Sequence, residues 1–276
     1  MNSSAGREHL GPVRSVAEYV EAVTVLNNSW ASASPRSIWY RGHSSKSYTL
    51  LPTIHRGTFG TAFERDMSRD FRLMAPTLLT HLPRTELSWM FVMQHYGLPT
   101  RLLDWTASHL VALFFAVEDH QADTTPVVWV LRPGKLNLAS IGEVTIASEP
   151  HPGLSDYLLD EPHLRRRRVN GTYAIAVRPE LNSPRIVAQR GGFTLHGARA
   201  VGLETIVEEL AASTGVRVPL ATIEIEPGAR HSIIRELSQA GITHSVVFPE
   251  LQGIAMELRQ RYSDLYVSAE DVLNLN

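Results

Sequence analysis

The period of the hydrophobic pattern changes along this chain, and the order of those changes limits the folds open to it. After a polar start, Val16, Tyr19, Val20, Val23 and Leu26 recur at helical spacing behind Ser15, an N-cap residue type; this predicts a helix ending near Asn27 and Asn28. Residues 31–35 read as a loop, and 37–42 (SIWYRG) have the aromatic and β-branched content of a strand. Two amphipathic helices follow over 61–80 and 85–96, broken around Pro83, with Pro76 placed to end or kink the first and Gly97 closing the second. Residues 100–106 read as extended, leading into a buried helix over 108–119; the run 110–117 is apolar all round, so periodicity alone does not separate helix from strand there.

Beyond it, 126–131 (PVVWVL), 172–177, 185–189, 193–195 and 220–225 read as strands. Helices are expected at 155–159, 205–212, 229–240 and 250–261, with a last turn near Glu270. Helices, a strand, helices, then strands mixed with helices is the order of an α+β domain rather than a doubly wound sheet. The expected fold is a single α+β domain with N-terminal helices and a mixed, largely antiparallel sheet flanked by helices. Its body spans 37–262, between an N-terminal helical segment (1–36) and a C-terminal tail (263–276).

Composition narrows the function. Among 276 residues, 43% are hydrophobic and 20% charged, which supports a folded core. Lys and Arg number 26 against 28 Asp and Glu, a net charge of −2 that excludes a globally basic nucleic-acid binder but not a local basic face. With no cysteine, disulfide scaffolds, thiol nucleophiles and thiolate zinc sites are excluded. The N-terminal residues lack the apolar core of a signal peptide, and the longest apolar run is eight residues, 110–117. A cytoplasmic protein with no membrane partner is the expectation.

Three segments concentrate unusual polar residues. In Trp39-Tyr40-Arg41-Gly42-His43, an arginine at a strand end can present five fixed donors to a phosphate or carboxylate, or simply sit on the sheet rim. In 94–106 (QHYGLPTRLLDWT), Gln94, His95, Thr100, Asp104 and Thr106 crowd between apolar flanks, where buried polar groups build a network or address a ligand. Asp104 and Thr106 are also good N-cap types for the next helix. In 185–196, two strands around Gly191-Gly192 suggest a tight hairpin or bulge with Gln189 near its rim. The four arginines 165–168 could grip nucleic acid or a phosphorylated partner, or form a solvated helix end. No phosphate-binding glycine loop, zinc-helix motif or nucleophile elbow is present, and the 12 histidines show no metal-ligand spacing.

These segments resemble the FRG domain, a bacterial family named for its Phe/Tyr-Arg-Gly motif, here Tyr40-Arg41-Gly42 followed by LLPTIHR (50–56). QHYGLPTRLLDWT (94–106), LVALFFA (110–116), PRIVAQRGGFTLHG (184–197) and FPELQGIA (248–255) extend the resemblance from about Ile38 to Ala255. In motif order the chain is also similar to ADP-ribosyltransferases, which place Arg or His, then Ser/Thr, then Glu or Gln on successive elements. That similarity implies an NAD-dependent effector of toxin or phage-defence type acting on a protein or nucleic-acid acceptor. Arg41 would hold the pyrophosphate or ribose, Thr106 the nicotinamide ribose and Gln189 the acceptor. Tyr40, Tyr96 or Trp105 would stack on nicotinamide; Gly42, Gln94, His95 and Thr100 would complete the cofactor pocket, with no metal. Gln189 stands where many transferases carry glutamate, so Asp104 is the other carboxylate that could supply the charge. Two further readings stay open: a non-catalytic module for a nucleotide or nucleic acid, and a metal-independent ribonuclease using His43, His95 or His196 as acid and base.

Overall fold

A computed structural model describes residues 7–30, 38–57, 60–119, 124–158, 169–179 and 184–273. The loop expected at 31–35 and the arginines 165–168 lie outside the described residues. The fold is α+β, and the described residues form seven strands in one sheet. In chain order they are β1 (Glu8–Val13), β2 (Trp39–His43), β3 (Leu102–Thr106), β4 (Val127–Leu131), β5 (Ala174–Val177), β6 (Gly191–His196) and β7 (Leu220–Ile225). Their order across the sheet is β1-β7-β4-β2-β3-β6-β5. Among these strands β1 and β7 pair in parallel, and the other neighbouring pairs are antiparallel. β1 falls in the stretch whose polarity hid it: at the sheet edge, only Val13 of its six residues is buried.

Ten helices accompany the sheet among the described residues: α1 (Val16–Ser29), α2 (Gly60–Met74), α3 (Glu86–His95), α4 (His109–Val117), α5 (Pro133–Ile141), α6 (Pro184–Gln189), α7 (Leu203–Thr214), α8 (Arg230–Gln239), α9 (His244–Val247) and α10 (Leu251–Leu273). Local chemistry explains several boundaries. Ser15 and Thr85 cap α1 and α3 by accepting the backbone N–H three residues on, and Pro76 opens a 3-10 turn just beyond α2. The helix expected at 155–159 is a 3-10 turn at Pro152–Leu154 running into a turn. α5 and α9 were not expected, and the two C-terminal helical stretches are one continuous α10.

Strand periodicity sorts the core onto the two faces. Along β4, Val128 and Val130 join α1, α4 and α8, whereas Val127, Trp129 and Leu131 join α5 and α7 on the other face. A third cluster packs α3 against Leu102 of β3, Ile175 and Val177 of β5, and Phe193 and Leu195 of β6. β2 pairs with β4 over all five residues and β3 with β6 over all five, yet β2 and β3 share the single pair Tyr40↔Thr106. The sheet is thus two ribbons joined at one point, and it opens between them.

One strand expectation is overturned. Residues 185–189, rich in β-branched and apolar types, form α6 rather than a strand, so Gly191-Gly192 is no hairpin. Pro184 at the first helical position supplies a helical φ, and Arg190, at φ +47°, turns the chain from α6 into β6. Gly192 is required by packing: a Cβ there would lie 2.6 Å from the Trp39 ring.

Candidate functional site

The opening between β2 and β3 is the floor of a cleft of about 470 Å³. Its walls come from β2 (Arg41, His43), β3 (Asp104, Thr106), α3 (Phe91, Gln94, His95), α4 (Phe115) and α6 (Arg185, Gln189), with Tyr48 and Arg56 from the segment after β2. The three segments singled out in the sequence therefore meet in one place.

Arg41 spans the opening. Its Nη1 donates to the Asp104 carbonyl at 2.7 Å, where a ladder bond would otherwise run, and lies 3.6 Å from the Asp104 carboxylate. Its Nε donates to His43 Nε2 at 3.0 Å, which requires a neutral imidazole protonated at Nδ1. Burial, then the charges of Arg41 and Arg56, pull the His43 pKa down to about 3. The Asp104 carboxylate, about half exposed, also accepts from Gln94 Nε2 at 2.8 Å. Thr100 stands behind Gln94 rather than in the cleft: its hydroxyl donates to Gln94 Oε1 at 2.7 Å and accepts from Leu102 N–H. Thr100 thus fixes the amide so that its NH2 end faces Asp104.

Gly42 lines the cleft, but its lack of a side chain serves packing. A Cβ there would lie 2.1 Å from the Ala112 carbonyl oxygen and 2.5 Å from Ala116 N, both backbone atoms of α4. The Thr106 hydroxyl donates to the Gln189 carbonyl at 2.5 Å and accepts from Ser108 N–H at 2.9 Å, tying α6 and the start of α4 to β3. Gln189 Nε2 in turn donates to Val247 O at 3.2 Å. Thr106 and Gln189 are in place, with their polar groups engaged in holding the wall. Tyr40 is buried under α4, with its hydroxyl directed at Asn27, while Tyr96 is exposed and outside the cleft lining. Trp105 lines the cleft with its indole N–H bound to Thr194.

Sequence reading missed two cations. Arg56 lines the cleft from the LLPTIHR segment, close enough that its charge acts on both Arg41 and His43. Arg185 enters from α6, its guanidinium 4.9 Å from the Phe248 ring centroid. Reading 185–189 as a helix would have found it, because Arg185 and Gln189 are i and i+4 on one face. His95 is 3.9 Å from Glu250, and burial followed by the Arg185 charge lowers its pKa. His196 lies elsewhere: it is fully buried and outside the cleft lining, with a pKa drawn down to about 3, first by burial, then by His55 and Arg101. His43 and His196 are therefore neutral imidazoles near neutral pH, without the acidic imidazolium proton that a general acid gives. Among the described residues, no group of three or more His, Asp or Glu is placed to hold a metal ion, and no helix is long and apolar enough to cross a membrane.

The segment that supplies most of this floor is also the one that matches a known domain: residues 36–125 match the FRG domain model. The chain carries an FRG domain. The matched FRG segment holds Arg41, Arg56, Gln94, His95, Asp104 and Thr106, whereas Arg185 and Gln189 lie beyond it. No curated protein and no solved structure matches the chain.

The two depressed histidines make the FRG-domain protein acid-sensitive. In the unfolded chain each takes a proton at the ordinary value of 6.5, but in the fold only near 3. Their contribution to stability is fully present above pH 6.5 and is lost as pH falls toward 3, at about 1.4 kcal/mol per pH unit for each. The melting temperature is expected to drop steeply from pH 6.5 to 4, and His196→Gln to make that slope shallower. A slope identical in the variant would show that His196 does not carry it.

Proposed function

We propose that the cleft binds a pyrophosphate-bearing nucleotide of the NAD class. The observation that carries this reading is the convergence of Arg41, Arg56 and Arg185 on one aromatic-walled cleft whose lining carboxylates are Asp104 and Asp119. With His43 neutral, the described lining residues carry a net +1, suited to an anionic ligand, and guanidinium forks match phosphate oxygens in pairs. Tyr48, Phe91, Phe115 and Phe193 supply flat apolar surface for a base or nicotinamide ring. The volume falls within the range of small-molecule sites.

Titration calorimetry with NAD, ADP-ribose and ATP tests the reading. Arg41→Ala and Arg56→Ala are each expected to weaken binding about 10- to 100-fold, the worth of one charge-assisted contact. Because Arg41 also bridges β2 and β3, the exposed Arg56 gives the cleaner comparison. Wild-type protein that binds none of the three ligands would defeat the proposal.

A second reading, NAD-dependent ADP-ribosyl transfer by an effector of toxin or phage-defence type, draws on one observation. The Asp104 carboxylate sits half exposed in the cleft, steered by Gln94 and Arg41, and so is available to face positive charge developing on a ribosyl carbon. Gln189 is neutral and engaged with Val247. On this reading nicotinamide is released, and Asp104→Asn stops release while binding survives. Binding without release leaves a nucleotide-binding module.

A further inference from the structure

Helix α10 has two unlike faces. On the inner one, Gly253 is buried and Met256, Glu257 and Gln260 are half-buried. This face lies against α9 and borders a groove that Ile234 and Thr243 also line, and the Glu257 carboxylate accepts from both the backbone and the hydroxyl of Ser245. On the opposite side Leu251 is 85% exposed, Ile254 49%, Leu258 42% and Tyr262 58%. Spacings of three, four and four place these side chains in one narrow stripe. Scattered exposed apolar residues are ordinary, but a continuous stripe along one helix is not.

The sequence carries the pattern on. Leu251 and Leu258 are followed at the same seven-residue interval by Leu265 and Val272, and the helical backbone continues to Leu273. A seven-residue apolar repeat is the seam of paired helices. Charge indicates what pairs with it. The first half of α10, residues 251–261, is a net +1: Glu257 accepts from Ser245 and pairs with Arg261 at 3.3 Å, which leaves Arg259 as the uncompensated charge. The second half, 262–273, has Asp264, Glu270 and Asp271 and no Lys or Arg. Side by side in parallel, two such helices set like charge against like. Antiparallel, each basic half meets an acidic half.

We propose that α10 is a self-association helix, pairing antiparallel with α10 of a second copy of this chain. Its 23 residues give a seam about 35 Å long, roughly three heptads, so the pairing is weak enough to depend on concentration.

Sedimentation equilibrium of the full chain over a concentration series tests this. The mass is expected to rise from 30.7 kDa toward twice that value. Leu258→Glu is expected to hold the protein at the monomer mass at every concentration while leaving its circular dichroism and melting temperature unchanged, because Leu258 faces away from the body. Orientation is read by introduced cysteines, since the chain has none of its own. Tyr262→Cys, at the helix midpoint, should cross-link two copies, whereas Gln252→Cys, near one end, should not. A wild-type protein that stays monomeric, a dimer that Leu258→Glu leaves intact, or ready cross-linking through Gln252→Cys would each overturn the proposal.

Discussion

Arg101→Met is expected to destabilise the FRG-domain protein by about 3–5 kcal/mol, because it leaves a buried carboxylate without its counter-charge. Arg101 is wholly buried and Glu64 is 4% exposed. Its Nε donates to Glu64 at 2.6 Å, and its two terminal nitrogens donate to the carbonyls of His196 at 2.7 Å and Tyr157 at 2.6 Å. One guanidinium thus joins α2, the end of β6 and the turn before β5. Removing it orphans an anion and two backbone acceptors together, and urea unfolding should show the full loss. Glu64→Leu in the Arg101→Met background is expected to restore a large part of it, since two apolar side chains in place of a buried ion pair are close to neutral. If Arg101→Met alone costs less than about 1 kcal/mol, the pair is not a structural tie.

Gly42→Ala is expected to be as damaging, through geometry rather than charge. The added methyl would stand 2.1 Å from the Ala112 carbonyl oxygen and 3.0 Å from the Phe115 carbonyl carbon. Those are backbone atoms of a helix that buries Val111, Ala112, Leu113, Phe114, Ala116 and Val117 in the core, so α4 cannot retreat without unpacking it. Overpacking against an immovable wall costs about 3 kcal/mol or more, and the melting temperature should fall by on the order of 10 °C. Arg41 and His43 flank this contact, so the proposed nucleotide binding should weaken with it. Gly57→Ala is a fair control because no atom lies within 4 Å of the added Cβ, although its φ of +155° adds local strain. Gly42→Ala protein melting like the wild type would mean that α4 does not press on β2 as described.

Both residues belong to segments whose chemistry stood out in the sequence, but for other reasons. Tyr40-Arg41-Gly42 and the 94–106 segment read as ligand-facing, and Arg41, Gln94, His95, Asp104 and Thr106 do line one cleft. In the same stretches Gly42 and Thr100 support the walls, and Arg101, which no local pattern distinguished, is wholly buried and spends its three bonds on Glu64 and two backbone carbonyls. A sequence presents a polar residue between apolar flanks; it does not say whether the partner is a ligand or a carbonyl nearly a hundred residues away.

The sequence by itself determined what depends on near neighbours. The 3.6- and 2-residue periods set most helices and strands, Ser15 and Thr85 set helix starts, and the order of elements set an α+β fold. It also determined the FRG motifs and the absence of thiol chemistry. Tertiary structure decided what depends on distant contacts. Residues 185–189 have the local preference of a strand, yet they form α6, tied to β3 by the bond from Thr106 and bringing Arg185 into the cleft. β1 has too little buried surface to show a pattern, and it exists because β7 offers an open edge. The cleft itself exists because β2 and β3 touch at one pair and then part, a separation set by what packs on each ribbon: α4 and α8 on one, α3 on the other. Local preference amounts to tenths of a kcal/mol per residue, whereas burying a side chain amounts to kilocalories, so the packed whole overrules the local segment wherever they disagree.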